Sequence, residues 1–503
     1  MGEKATVLVV GAGPTGLATA CALRASGVSV RVVDGASGPP ATSRALGLQP
    51  RGLEVLDRLG ALDALPGRAV AIGQVVAYVD GKPVARLQVG RRTKLVTRPG
   101  LIISQAEVEA GLRRRLGALG TEVEWRREVT SVDQDDDGVS VRFSDGGSEH
   151  AGWLVGCDGA HSGVRKAAGI DFPGVPVVER FLLADVRAPL PLPRDAVCVW
   201  LHGDRMLGAF PLPGEDVWRL MAPAPSGPPG DLGPAELRAI LAEALEARSG
   251  IPAATVGEGL WTSTFRIHRR LASTYRQGRV LLAGDAAHIH SPFGGQGMNT
   301  GLGDAENLAW KLALVAGGRA TQPLLDTYEA ERRPVAEEVL ASTSAMTRLV
   351  VGDTRLSRAL RNHVFVPLMN RPFAQRALWE KSSQLKVTYR GGPLAGRSLP
   401  GRGPRVGDRV PDLECLHTDG HGTRLYGELG AAWAVLTAHH NTPDYAAVVR
   451  RRLGGTAAVA LTAADLPGPA ALVRPDGHLA WRGNSPADLD RALTRILERG
   501  GVR

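Results

Sequence analysis

Cysteine is scarce in this chain, with four in 503 residues. Cys21, Cys157, Cys198 and Cys415 lie far apart, form no CxxC and have no paired Cys/His spacing, which excludes a disulfide framework and a cysteine-ligated zinc site. Long hydrophobic runs are also missing, and none approaches the eighteen residues of a membrane helix. The apolar stretch Thr6–Val10 ends at a glycine and is too short for a secretory core, so it reads as a first strand and the expected location is cytoplasmic. Blocks of one charge sign are absent too. The formal charge of +9 is spread over short runs such as Arg113–Arg115 and Arg450–Arg452, with no nucleic-acid module beside them. Neither nucleic acid nor a membrane is an expected partner. The 44% hydrophobic and 22% charged residues that remain are those of an ordinary globular protein, and the length asks for two to four domains.

Hydrophobic periodicity organises the chain. Thr6–Val10, a glycine turn, a helix over Leu17–Ser26 and a strand over Ser29–Val33 form a βαβ unit. Gln49–Leu59 has helical spacing, and residues 70–98 predict a hairpin around Asp80-Gly81. Ser104-Gln-Ala-Glu107 is a capping box opening a helix to about Leu119. Strands are predicted near Val123–Trp125, Val129–Asp133, Val139–Phe143 and Trp153–Cys157. Residues 175–265 carry short alternating runs broken by prolines, which predicts a mainly antiparallel sheet. A buried strand at Arg279–Ala283 precedes helices over Asn299–Val315 and about Leu324–Leu349, the second bent at Pro334. Ten of the 21 residues from Gly391 to Pro411 are Gly or Pro, which marks a linker. Beyond it a small α/β unit has strands near Ala431–Ala438, Ala457–Leu461 and Ala470–Val473, with helices near Tyr445–Leu453 and Pro486–Leu497.

Three segments carry chemistry. Gly11-Ala-Gly-Pro-Thr-Gly16 is a GxGxxG turn between strand and helix. Gly11 permits the turn, Gly13 lets backbone approach a pyrophosphate, and Gly16 lets helix and strand pack closely. The helix N-terminus offers N–H groups to phosphate, and Asp34, at the end of the next strand, is placed to accept from a ribose. This pattern does not separate a flavin from a nicotinamide dinucleotide. Asp158-Gly-Ala-His-Ser-Gly-Val-Arg165 follows another apolar strand. Gly284-Asp-Ala-Ala-His288 leads into a glycine-dense loop and a helix N-terminus, which suits a flat ring and negative charge. The alternative for Asp285 is a structural capping residue.

The run Gly284–Gly301, followed by Asp304-Ala-Glu-Asn-Leu-Ala-Trp-Lys-Leu312, resembles the class A flavin monooxygenases of the p-hydroxybenzoate hydroxylase fold, most of all their aromatic polyketide and phenol hydroxylases. Ser43–Arg51, Asp158–Arg165, Tyr275–Val280 and Tyr328–Pro334 are similar to that family as well, in the same order. The resemblance implies FAD as cofactor and NADPH or NADH as transient electron donor. It implies hydroxylation of a polycyclic aromatic or phenolic small molecule with O2, through a flavin C4a-hydroperoxide. Gly11, Gly13, Gly16 and Asp34 would hold the adenosine diphosphate, and Arg44 and Gln105 the phosphate–ribityl region. Asp285 would bind the ribityl chain, while Pro292, Gly294, Gly295, Gln296, Gly297, Met298 and Asn299 would border the isoalloxazine. Asp158 and Arg165 belong to a segment serving both FAD and the nicotinamide donor. Pro292 and Arg44 are the candidates nearest the chemistry.

The expected fold is α/β: a Rossmann-like FAD-binding domain with an interleaved, mainly antiparallel substrate sheet and a C-terminal thioredoxin-like unit lacking CxxC. Its predicted partition is 1–70, 99–174 and 266–390 for FAD, 71–98 and 175–265 for substrate, a linker at 391–411, and 412–503 at the C-terminus. Trp200, Met206, Phe210 and Trp218 are candidate lining residues. His288 and His290 have no carboxylate–histidine set around them, so no metal is expected. Baeyer–Villiger or epoxidising oxygenation, an oxygen-independent flavin reductase or dehydrogenase, and a non-catalytic flavoprotein are the alternatives. The chain is expected as a monomer or homodimer.

Overall fold

The computed structural model describes residues 6–40, 46–63, 65–79, 81–93, 95–202, 205–225, 232–290, 294–351, 359–396, 403–438, 442–454, 457–463 and 470–499. Its fold is mixed α/β, and three larger sheets carry it. The first has six strands in the order Arg276–Gln277, Val280–Leu282, Trp153–Gly156, Val7–Val10, Val30–Asp34 and Val123–Trp125. The last five run parallel. Their near-continuous valine and leucine runs are buried on both faces, as a parallel sheet requires. A layer of helices covers one side, and the small antiparallel sheet of Val129–Gln134, Val139–Phe143 and Ser148–Ala151 packs in the same core. Leu8, Val9, Leu154, Val155, Leu281 and Leu282 are all fully buried. Helices Pro14–Ala25, Gln105–Ala118 and Gly297–Ala316 supply the packing.

The second sheet has eight strands in the order His288–Ile289, Gly259–Leu271, Gly174–Arg187, Val217–Pro223, Arg205–Pro211, Ala196–His202, Gln74–Val79 and Lys82–Gln88. All pairings are antiparallel except Ala196–His202 with Gln74–Val79. The hairpin expected near residue 80 is present, its tip residue Asp80 lying outside the described residues. Strand Gly259–Leu271 runs past the predicted boundary at 265 and ladders onto His288–Ile289, so the sheet reaches the loop after Asp285 directly.

One face of this sheet is sealed by helix Pro234–Ser249, an element the sequence reading above does not contain. Leu237, Leu241 and Leu245 pack there against Trp200, Leu207, Trp218 and Leu220. Trp200 and Trp218 are therefore core residues, because strand alternation turns them to the helix side. Met206 and Phe210 point the other way. Helices over 366–369 and 372–382, also unforeseen, lie along the edge strand. Asn370 and Gln375 donate to the carbonyls of Val84 (2.7 Å) and Arg86 (3.0 Å).

The C-terminal sheet has six strands, ordered Gly422–Arg424, Glu414–His417, Ala458–Thr462, Trp433–Thr437, Ala470–Val473 and Leu479–Gly483. The central pair is parallel and the rest antiparallel. Helices Thr442–Leu453 and Pro486–Arg499 pack on it, with Val449, Leu453, Leu489 and Leu493 fully buried. Pro334 is accommodated inside a helix that spans Pro323–Val351.

Candidate active site

The three glycine-bearing segments leave the same end of the parallel sheet and meet there. Gly11 has φ +105°, and a Cβ at that position would stand 2.4 Å from the Cys157 carbonyl oxygen. Only glycine permits this crossing, which ties the first motif to the second. A Cβ on Gly16 would lie 1.9 Å from the Gly11 oxygen, so helix and strand pack through it. Gly13 meets nothing within 4 Å; it faces open space at the start of helix Pro14–Ala25, whose first turn has no side-chain cap. That leaves N–H groups for an anion, an interaction of roughly 0.3–1 kcal/mol per charge when exposed. Thr15 then wedges between the first motif and the third. Its Oγ1 would be 2.5 Å from a Cβ on Gly284 and 2.3 Å from one on Gly301.

Asp34 is fixed by two backbone donors, Ala12 N–H (2.7 Å) and Ala36 N–H (2.8 Å). Both carboxylate oxygens keep lone pairs for hydroxyls. Gln105 opens its helix behind Ser104, whose hydroxyl accepts from Ala106 N–H, and donates to Glu109 at 2.8 Å. Glu109 is buried, and burial raises its pKa, with Gln105 and Arg113 opposing and the Asp34 charge adding. Its position four residues after Gln105 on one helix face was the available signal for a residue the motif reading omitted. Glu107 pairs with Arg68 (2.8 Å).

Asp158 and Arg165 act as braces. Asp158 accepts from the Ser162 hydroxyl (2.5 Å) and Val164 N–H (3.0 Å), closing the start of the short helix Gly163–Ala167. Arg165 is buried, donates to the Ala286 carbonyl (2.9 Å) and the Ala160 carbonyl (3.2 Å), and lies 3.8 Å over the Phe172 ring. It ties the second motif to the third through backbone.

Asp285 is exposed, yet protein surrounds it densely enough that burial raises its pKa, with His288 opposing and Asp304 adding. An accessible group in such surroundings lines a cleft. Beneath it His288 meets Asp304 at 2.6 Å, and Asp304 also accepts from Gly284 N–H (3.2 Å) and Arg332 Nε (2.7 Å). Asn299 knots the following loop: it accepts from Gln49 N–H (2.8 Å) and donates to the carbonyls of Gly47 (3.0 Å) and Gly295 (2.7 Å). Gln296 donates to Ser382 (2.9 Å) and accepts from Gln384. Gly297 begins helix Gly297–Ala316, again with no side-chain cap, Gly294 and Gly295 expose backbone beside it, and Met298 packs against the core. Arg44 and Pro292 lie outside the described residues.

Strand Gly259–Leu271 joins the partly exposed face of the eight-stranded sheet to this region through its ladder with His288–Ile289. Val199, Phe210, Trp261 and Phe265 remain partly exposed there. Phe210, Val197 and Val217 pack with Ile102 of the small strand Leu101–Ile102 and with Leu46, just before the strand Gly47–Leu48. One cross-strand row reads Phe210, Arg219, Asp185, Trp261. Arg219 makes a two-pronged pair with Asp185 (2.6 and 2.8 Å) and stands 4.7 Å over Trp261. Among the described residues, this part of the face is largely apolar with the Arg219–Asp185 pair set into it.

Open space at Gly13, an uncapped helix behind it, and an accessible carboxylate at Asp285 fit an extended flavin dinucleotide. The comparisons agree. A family profile described as FAD binding domain matches residues 4–343. A second, described as aromatic-ring hydroxylase, C-terminal, matches residues 403–500. Rifampicin monooxygenase of Rhodococcus hoagii is 35% identical over 504 residues, covering 98% of each chain. 12-dehydrotetracycline 5-monooxygenase/anhydrotetracycline 6-monooxygenase of Streptomyces rimosus subsp. rimosus is 37% identical over 497 residues, covering 94% of each. Among solved structures, CabE, an aromatic hydroxylase from angucycline biosynthesis, superposes with TM-score 0.80 at 33% identity over 100% of both chains. The chain belongs to the FAD-dependent aromatic-ring hydroxylases.

Proposed function

We propose that the protein hydroxylates a polycyclic phenol of the polyketide type, consuming NADPH or NADH and O2. The observation that carries this is the partly exposed apolar face of the eight-stranded sheet, whose strand Gly259–Leu271 ladders onto His288–Ile289 just after Asp285. Relatives named for rifampicin and anhydrotetracycline support the substrate class. When bound, FAD supplies the oxygen-activating redox chemistry.

The chain's own residues do the rest. Gly11, Gly13 and Gly16 bring backbone to the pyrophosphate, Asp34 takes the adenosine ribose, and Gln105 with Arg44 takes the phosphate–ribityl region. Asp285 binds the ribityl chain, and the loop from Pro292 to Asn299 edges the flavin ring, its N–H groups favouring the reduced, anionic form. Arg165, on the short helix that Asp158 closes, holds the turn that carries Asp285 through the Ala286 carbonyl. The sheet face orients the substrate ring and excludes water. Arg219, fixed by Asp185, gives the ring oxygens a polar partner.

We read the chain as a FAD-binding domain (1–70, 99–174, 266–390), a substrate domain (71–98, 175–265) and a C-terminal thioredoxin-like unit (412–503), soluble in the cytoplasm as a monomer or homodimer. The test is a screen of polycyclic phenols, headed by anhydrotetracycline and rifampicin, for stimulated NAD(P)H oxidation and incorporation of one atom from labelled O2. FAD-loaded protein that converts substrate without oxygen would sink the proposal.

A further inference from the structure

The segment Leu472-Val-Arg-Pro-Asp-Gly-His-Leu-Ala-Trp-Arg482 has no part in the chemistry above, yet its turn is the most deeply buried charged stretch of the C-terminal unit. Arg474, Asp476 and His478 are each no more than 2% exposed. They form the tip of the hairpin joining Ala470–Val473 to Leu479–Gly483, closed by Arg474 N–H to the His478 carbonyl (2.8 Å). That tip presses on helix Gly297–Ala316, the helix that begins at the flavin-edge loop.

Along one face of the helix stand Thr300, Asp304, Asn307 and Lys311, all fully buried. At the lower end, Asp476 accepts from Asn307 (3.3 Å) and Trp310 (3.2 Å). Arg474 pairs with both oxygens of Glu331 (2.8 and 2.9 Å), and Glu331 accepts from Asn307 and Lys311, each at 2.8 Å. At the upper end, Arg332, next in sequence to Glu331, donates to Asp304 (2.7 Å) and the Thr300 carbonyl (3.0 Å). Asp304 is the group that holds Gly284 N–H and His288. Tyr389 joins the two ends: its hydroxyl accepts from Arg332 (3.1 Å), while its ring lies 4.2 Å from His478 and 5.0 Å from Arg474.

We propose that the Arg474–His478 turn is a positioning element for the flavin site, fixing the axial and rotational register of helix Gly297–Ala316 and through it the turn Gly284–His288 and the segment Gly294–Asn299. The physical reason lies in the choice of contact. Buried ion pairs gain little stability over apolar packing of the same volume, but they accept one arrangement and penalise the rest. An interface meant only to attach the C-terminal unit has apolar surface for that purpose, in Trp310, Trp433, Leu324 and Leu314. The ionic stripe adds a fixed register. Lys311 and Glu331 show how tightly it is set. Burial pulls the ammonium down to about 8 against Glu331. Burial also pushes Glu331 upward, but Arg474 and Lys311 prevail and bring it to about 2. With no CxxC, this unit then acts on the flavin by geometry.

The inference rests on the reading that Asp285 and its loop hold FAD, and the experiment separates the two. On the full-length protein, FAD affinity, the visible flavin spectrum and the anaerobic rate of flavin reduction at saturating FAD are measured for Asp285→Ala, Asp476→Asn, Arg474→Met and Tyr389→Phe. Asp490→Ala, which removes the partner of Arg451 and Arg452 within the C-terminal unit, serves as a control for general loosening.

Coupling through such networks changes affinities by roughly 2- to 30-fold. Asp476→Asn and Arg474→Met are expected about tenfold weaker for FAD, with a shifted flavin spectrum and slower reduction, and Asp490→Ala unchanged. Tyr389→Phe deletes one hydroxyl and keeps the ring, so it decides the matter should the charge variants fail to fold; about threefold weaker FAD with an altered spectrum is expected. If Asp285→Ala keeps full FAD, the site reading is wrong. If it loses FAD while the folded Asp476, Arg474 and Tyr389 variants match wild type, the coupling alone is overturned.

Discussion

The two faces of the eight-stranded sheet are built from the same strands and similar residues, yet they do different work. One face gives Trp200, Trp218, Leu207 and Leu220 to helix Pro234–Ser249 and is closed. The other leaves Phe210, Trp261, Phe265 and Val199 partly exposed. Composition does not distinguish them; the extent of helix cover does, since helix Pro323–Val351 approaches the second face, where Phe181, Leu183, Met206 and Met221 are buried, and leaves only part of it exposed. The second difference is charge. Asp185 and Arg219 form an ion pair on the open face, with side chains 14% and 3% exposed, where a stability-driven design has no use for one.

Substitutions that separate stability from substrate handling sharpen this contrast. The largest loss of stability is expected for Trp218→Ala, about 4 kcal/mol for a large buried aromatic. It should lower the thermal midpoint while the folded fraction keeps its FAD and its KM; a KM change equal to that of the open-face variants would erase the distinction. Next comes Arg219→Met, which strands the Asp185 carboxylate at about 3 kcal/mol. The double variant Arg219→Met/Asp185→Leu should regain most of that stability in a denaturant melt but not the affinity for an oxygenated ring. Recovery of both would reduce the pair to packing.

Smallest in stability is Phe210→Ala, about 1 kcal/mol because the ring is only partly buried. Its effect should fall on substrate binding: a KM raised several-fold and more NAD(P)H consumed without product. An unchanged ratio of product to NAD(P)H would remove Phe210 from the site.

The sequence was most readable where chemistry is local. The glycine turn at Gly11, the strand before Asp158 and the turn around Asp285 are short patterns, and the fold brings them together, the first two through backbone and the third through the Thr15 side chain. The hairpin around residue 80 and the helix from Gln105 were legible for the same reason, since turn and cap residues act on their neighbours. Helix Pro234–Ser249 was passed over although Leu237, Leu241 and Leu245 repeat at helical spacing, because the proline-broken strands around it set the reading of the region. Partners distant along the chain left no local trace. Nothing near Asp304 announces Arg332 or His288, and nothing in Arg165 says that its guanidinium is committed to the Ala286 carbonyl. The sidedness of Trp200 and Trp218 was likewise hidden, because alternation gives two faces and only the fold says which is covered.

Strand Gly259–Leu271 belongs to the sheet for most of its length and ends laddered to His288–Ile289. On the proposed function, roof and floor of the substrate site are thus joined at one corner by main-chain bonds, which ties their spacing to the scaffold. Remodelling the side chains of the ceiling changes the outline a guest must match without altering the gap it slides into. A lineage built on this frame can trade one fused-ring guest for another while the distance to the oxidising centre stays constant.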